Sequence, residues 1–214
     1  MAYEHANLAQ TNITDKLIEN LRKNLFDAVY FGNKADARQY ICDQISPDMK
    51  VAFGGSMTVR MLDIRSYAHS IGAQVLDHST PGLSESHRLD IMRKQLTSDL
   101  FISSSNAITS SGFLVNVDGN GNRVSSMIFG PRKVIIVAGI NKIVHSVNEA
   151  FKRIEFVAAP MNMKRLERST PCSIEGVCSD CDSNERGCRA FSIIKRRPAL
   201  TPTEIILVGE MLGM

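Results

Sequence analysis

Residues 99–141 constrain what this chain can fold into more than any other segment. They read DLFISSSNAITSSGFLVNVDGNGNRVSSMIFGPRKVIIVAGIN. Two short apolar runs, 100–102 and 134–138, enclose a stretch dense in Ser103, Ser104, Ser105, Asn106, Thr109, Asn116, Asp118, Asn120, Asn122 and Arg123. Unbroken apolar runs of this length predict strands buried on both faces, as in a parallel sheet. The polar residues then fall in loops near strand ends. Ligands of open α/β sheets bind at such ends, so this polar load predicts a binding surface.

The flanking segments extend the pattern. Residues 12–24 place Ile13, Leu17, Ile18, Leu21 and Leu25 at helical spacing, an N-terminal helical segment lying within about 12–30. Helices are further expected at 36–45, 58–71, 84–96 and 146–154. Strands are expected at 50–53, 74–76, 99–102, 134–138 and 205–208. Asp118-Gly119 and Asn120-Gly121 are strong turn signals, so 113–117 and 126–129 are expected to pair as a hairpin. Strands alternating with helices predict a Rossmann-like layered α/β fold with a mostly parallel sheet, made mixed by that hairpin. With 214 residues, the chain is read as a single domain (1–214) carrying a Cys-rich loop at 172–188.

Bulk properties exclude several functions. The formal net charge of +3 is too small to argue for nucleic acid or an anionic membrane. Trp is absent and aromatics are 6 %, which removes a stacking platform for single strands. No apolar stretch reaches the roughly 20 residues of a membrane helix. The N-terminus is polar, with Glu4 and Asp15, and lacks a leader's apolar core, so a cytoplasmic location is expected.

Four segments carry candidate chemistry. Gly54-Gly55-Ser56-Met57-Thr58 follows a predicted strand. Its glycines permit close approach of a ligand, and amides at the following helix start favour an anion. Ser56 and Thr58 add hydroxyl donors, or one of them is the helix cap; the alternative is a capped turn with no ligand. After the strand at 99–102, Ser104, Ser105 and Asn106 can hydrogen-bond a ligand, or satisfy their own loop. At the expected hairpin tip, Asp118, Asn122 or Arg123 would face the pocket, with Arg123 able to clamp a carboxylate or phosphate. Asn141 and Lys142 follow the strand at 134–138, where Lys142 is an anion contact or a solvated lysine. Asp118 and Asn106 are the catalytic candidates, and Glu210 is a further possible acid–base group.

The fifth feature is Cys172-x5-Cys178-x2-Cys181-x6-Cys188. Four thiols on one short loop suit zinc or an iron–sulfur cluster; the alternative is four reduced thiols. Cys42 sits in a helical pattern and is read as a core residue.

Taken together these segments resemble the LUD domain family (lactate utilization, formerly a domain of unknown function), which includes lactate utilization protein C. The residues that carry the likeness are Gly54 through Thr58, Asp99, Ser103 through Thr109, Gly112, Asn116 through Arg123, Phe129-Gly130-Pro131 and Gly139 through Lys142. The tail with Cys172, Cys178, Cys181 and Cys188 resembles a cysteine-bearing subgroup. The resemblance implies a fold like that of ribose-5-phosphate isomerase, glucosamine-phosphate deaminase and the CoA transferases. It further implies a small carboxylate or phosphate ligand and an accessory part in the oxidation of lactate or a related 2-hydroxy acid. An iron–sulfur oxidoreductase would be the partner protein. A stand-alone isomerase-like or transferase-like enzyme and a regulatory module with structural zinc are the alternatives.

Overall fold

The computed structural model describes residues 2–214, with side chains described from Ile13 onward. The polar segment 1–12 lies outside the described side chains. The chain begins α1 (Ala2–Lys23), β1 (Asp27–Phe31), α2 (Lys34–Cys42), β2 (Lys50–Phe53), α3 (Met57–Met61), α4 (Ile64–Ser70), β3 (Gln74–Asp77) and α5 (Glu85–Gln95). It continues β4 (Leu100–Ser103), β5 (Ala107–Thr109), β6 (Leu114–Asp118), α6 (Asn122–Ile128) and β7 (Lys133–Gly139). A 3-10 turn at Ile140–Lys142 leads to β8 (Ile143–Val144), α7 (Val147–Arg153), one π-helical turn at Ile154–Ala158 and α8 (Ala159–Arg165). The last elements are α9 (Pro171–Glu175), β9 (Ala190–Ile194) and β10 (Thr203–Val208).

Six strands form one parallel sheet in the order β1-β10-β7-β4-β2-β3. At its centre Ile136 of β7 sits beside Ser103 of β4 and Ile205 of β10. Alternation along each strand sends side chains to opposite faces. Val134, Ile136, Ala138, Ile205 and Leu207 pack with Leu17 and Leu21 of α1 and Met127 of α6. Ile135, Val137, Ile206 and Val208 pack instead with Ile41 of α2, Val59 of α3 and Ile64 of α4. Both faces are covered, which is why these strands appear in the sequence as unbroken apolar runs. A smaller sheet, β8-β5-β6-β9, is backed by Ala150, Ile154 and Ala159 from the α7–α8 segment. Among the described residues no helix is long and apolar enough to cross a membrane.

Four expectations need correction. The N-terminal helix stops at Lys23, and 27–31 is an edge strand. The helix expected over 58–71 is two helices, divided where Asp63 adopts the left-handed region at φ 49°; Asp tolerates that conformation better than most residues. The expected hairpin does not form. Asp118 to Gly121 turns a strand into a helix: Gly121 takes φ 78°, and Asp118 Oδ2 accepts from the Val124 amide at 3.0 Å. Val124 and Met127, one helical turn apart, are then buried, while β6 pairs with β5 and β9. The large sheet is therefore wholly parallel, and the antiparallel pairs lie in the small one.

Ile136 is fully buried in the central strand. Ile136→Ala is expected to cost about 2–5 kcal/mol, read as a lower urea midpoint at unchanged slope.

Candidate functional site

The site follows from strand order. β2 and β4 are neighbours, but the chain leaves β2 toward β3 on one side and leaves β4 toward β7 on the other. The loops after β2 and β4 therefore diverge and open a crevice at the carboxyl edge of the sheet. Gly54 makes the close passage possible, since a Cβ there would collide with the side chain of Ser103. The crevice is a cleft of about 520 Å³. Gly55, Ser56, His78, Ser104, Ser105, Asn106, Asp118, Asn122, Arg123 and Lys142 line its floor and near wall, and residues 162–168 and 184–189 close the far side.

Arg123 is the centre of the near wall. Its side chain is 12 % exposed. Nε donates to Asp118 Oδ1 at 2.9 Å. Nη1 donates to Ser104 O and Asn116 Oδ1, both at 2.8 Å, and Nη2 to Asn106 Oδ1 at 2.8 Å and Val117 O at 2.9 Å. A guanidinium has five N–H groups, and all five are used here. The expected free clamp is thus a fastener between the loop after β4 and the end of β6. Asp118 is engaged on both oxygens, by Arg123 and by the Val124 amide. Asn106 Oδ1 accepts from Arg123 and from the Val117 amide. Neither catalytic candidate presents a free acid–base oxygen to the cleft.

The remaining expected residues divide. Ser56 is the cap of α3, accepting from the Val59 amide at 3.3 Å. Thr58 is fully buried and donates to Leu212 O at 3.1 Å, which makes it a tie to the C-terminal segment. Asn141 does not line the cleft; its Oδ1 accepts from the Leu212 amide at 3.0 Å. Glu210 also lies off the cleft and accepts from the Lys34 amide. Gly54 lies behind the cleft wall, whereas Gly55, Ser56, Thr58, Ser104, Ser105, Asn122 and Lys142 do line it.

Lys142 is 5 % exposed, and its Nζ donates to Ser104 Oγ at 2.9 Å and Ser105 O at 3.2 Å. Burial first, then the positive charges of Arg153 and Arg123, push its ammonium down to about 7. Half-buried His78 carries no local sequence signal of a site. Gln95 Nε2 lies 3.1 Å from the His78 Nδ1 and also donates to Phe53 O and Leu76 O, while the His78 Nε2 faces Gly55. Burial holds His78 below its usual range, which favours the neutral ring at the cleft.

Six further arginines also escape a reading of the sequence: Arg60, Arg88, Arg165, Arg168, Arg186 and Arg189 all line the cleft. With Arg123 and Lys142 they make eight basic side chains against two carboxylates, Asp118 and Glu185. Their one local signal is Arg186 and Arg189 bracketing Gly187-Cys188.

The cysteine loop adjoins this far wall, and Cys188 lines the cleft. The π-helical turn helps to seat the loop, because Glu155 O accepts from the Cys178 amide at 3.0 Å. The Asp180 amide donates to Cys178 Sγ at 3.4 Å, and Arg186 donates to Cys181 O and Cys188 O, each at 2.8 Å. Burial, then the nearby sulfurs of Cys178 and Cys172, push the Cys188 thiol up to about 11. Among the described residues, however, no three His, Cys, Asp or Glu groups converge tightly enough to hold a metal ion.

Arg123→Met leaves Asp118 Oδ1 without its partner in a buried setting and is expected to cost about 3–5 kcal/mol, with Arg123→Lys restoring little of it, by denaturant unfolding. Lys142 has a native pKa below its unfolded value, so its burial penalty is complete below pH 7. The penalty is relieved as pH rises from about 7 to about 10, because the unfolded state then binds more protons. Lys142→Met is expected to stabilise the protein more at pH 6 than at pH 10, by a few kcal/mol in paired melts.

Comparison with known proteins places this geometry. The family model for the LUD domain matches residues 14–208. A comparison with curated proteins gives no match. The crystal structure of a DUF162 family protein from Deinococcus radiodurans aligns with a TM-score of 0.53 at 14 % identity, over 94 % of this chain and 98 % of that one. At that identity the likeness is one of fold. The match over nearly the whole length, together with the layered sheet and its cleft, establishes that the chain belongs to the LUD domain family.

Proposed function

We propose that this LUD-domain protein holds a small anionic ligand, a carboxylate or phosphate, in the switch-point cleft. We further propose that it acts as an accessory component in the oxidation of lactate or a related 2-hydroxy acid, beside an iron–sulfur oxidoreductase. The observation that carries the reading is the gathering of eight basic side chains against two carboxylates around one cleft, in a chain whose net charge is only +3. An excess of one sign of charge around a cleft raises the local concentration of oppositely charged small molecules. The anchor expected at Gly54–Thr58 contributes less than the arginines, because α3 has five residues and Ser56 is occupied as its cap. A stand-alone enzyme working through Asp118 or Glu210 has less support, since Asp118 is paired on both oxygens and Glu210 lies off the cleft.

The cysteine quartet enters the same proposal. Its donor chemistry suits an iron–sulfur cluster or zinc, with Cys172 contributed by α9 and Cys178, Cys181 and Cys188 by the loop that follows, although among the described residues they do not converge on one point. A bound cluster would supply electron transfer, and a bound zinc would supply a structural staple.

Titration calorimetry with L-lactate, pyruvate, orthophosphate and pyrophosphate tests the cleft. Binding of at least one anion is expected, weakened roughly tenfold or more by Arg165→Gln or Arg168→Gln. No heat with any of the four overturns the reading. Metal analysis of protein purified without oxygen tests the loop. Iron with sulfide, lost in a Cys178→Ser/Cys181→Ser variant, supports the oxidation role. One zinc per chain favours the regulatory module, and neither metal removes the quartet from the proposal.

A further inference from the structure

Lys142 is buried at the cleft in an arrangement that anion binding alone leaves unexplained. Lysines enclosed in proteins are ordinarily paired with a carboxylate, because an uncompensated ammonium in a low dielectric is costly. Lys142 has no such partner among the described residues. The groups holding its Nζ are neutral, Ser104 Oγ and Ser105 O. The charges that face it, Arg153 from α7 and Arg123 from α6, are both positive. Arg153 is itself fixed, donating to Asn141 O at 3.0 Å and Asn106 O at 2.6 Å, and Arg123 has no N–H to spare. Neither can move off to relieve the repulsion. The arrangement therefore favours the neutral amine, and it does so at the edge of a cleft rather than in a sealed core. A desolvated amine beside cationic groups is a nucleophile toward carbonyl carbon.

We propose that Lys142 forms a reversible imine with a carbonyl-bearing anion, most simply a 2-oxo acid whose carboxylate is held by the arginines of the cleft. This rests on the anion-binding reading of the cleft and deepens it by naming the substrate class. The nitrogen lone pair forms the C–N bond while the carbonyl π pair moves onto oxygen. A proton passes from nitrogen to that oxygen, for which the Ser104 hydroxyl, 2.9 Å from Nζ, is the adjacent relay. Loss of water then leaves C=N, and hydrolysis returns both components. No oxidant or reductant is needed.

The test is reductive trapping. The full-length protein is incubated with pyruvate, and separately with glyoxylate, in the presence of cyanoborohydride, then followed by intact mass and peptide mapping. The expected result is one reduced adduct per chain, mapped to Lys142, with none from L-lactate, which has no carbonyl. Lys142→Met should abolish the adduct, whereas Lys152→Arg, an exposed change on α7 outside the cleft, should not. Should Lys142→Met fold poorly, peptide mapping of the unaltered protein still identifies the lysine that carries the adduct. Adducts spread over several lysines, or none with either oxo acid, overturn the proposal. Retention of anion binding by calorimetry with no adduct would defeat the imine and leave the cleft reading standing. Loss of both would defeat the two together.

Discussion

The Arg123 guanidinium holds the near wall of the cleft in place. Its five N–H groups reach Ser104, Asn106, Asn116, Val117 and Asp118, so one side chain fastens the loop after β4 to the end of β6. Ser104 and Asn106 lie in the loop that leads from the parallel sheet into the small one, and Asn116, Val117 and Asp118 lie in β6 of the small sheet. Asp118 continues the network by capping the first turn of α6. A buried charge held by so many geometric partners is costly to break, and the wall of the cleft is correspondingly rigid.

That rigid wall faces a second one of different construction. The far side consists of segments 162–168 and 184–189, which lack strands and present Arg165, Arg168, Arg186 and Arg189. The cysteine loop is continuous with it, seated by the Glu155 carbonyl at a π-helical turn and by Arg186 donating into its own loop. Such single π turns often accompany functional positions. Four arginines on the far wall face a near wall whose charged groups, Arg123, Asp118 and Lys142, are tied into a fixed polar network.

The parts of the fold most legible in the sequence were those buried on both faces. The runs at 100–102, 134–138 and 205–208 could be read as parallel strands because no alternation is needed there. Edge strand β1, Asp27–Phe31, carries an apolar run at 28–31, but it follows directly on the N-terminal helical pattern and is mixed in burial, so it merged with that helix in the sequence. Helix α6 was hidden behind Asp-Gly and Asn-Gly, which signal a change of direction but carry no information on whether a strand or a helix comes next. Gly55, Ser104, Ser105 and Lys142 were legible as cleft residues because they follow buried strands. His78 and the six further arginines were not, being scattered between residues 60 and 189 with the spacing of an ordinary solvated surface.

By itself, the sequence determined the class of architecture, the positions of the central strands, the family likeness and the clustering of four cysteines within residues 172–188. These depend on local pattern and short spacing, which are properties of contiguous residues. The tertiary structure decided the roles. It turned Arg123 from a free clamp into an internal fastener, Thr58 and Asn141 into ties to the C-terminal segment, and Lys142 into a buried amine without a counter-charge. Whether a polar side chain is available to a ligand depends on which other groups have already satisfied it. Those groups come from elements far apart in the chain, brought together only when the two sheets pack.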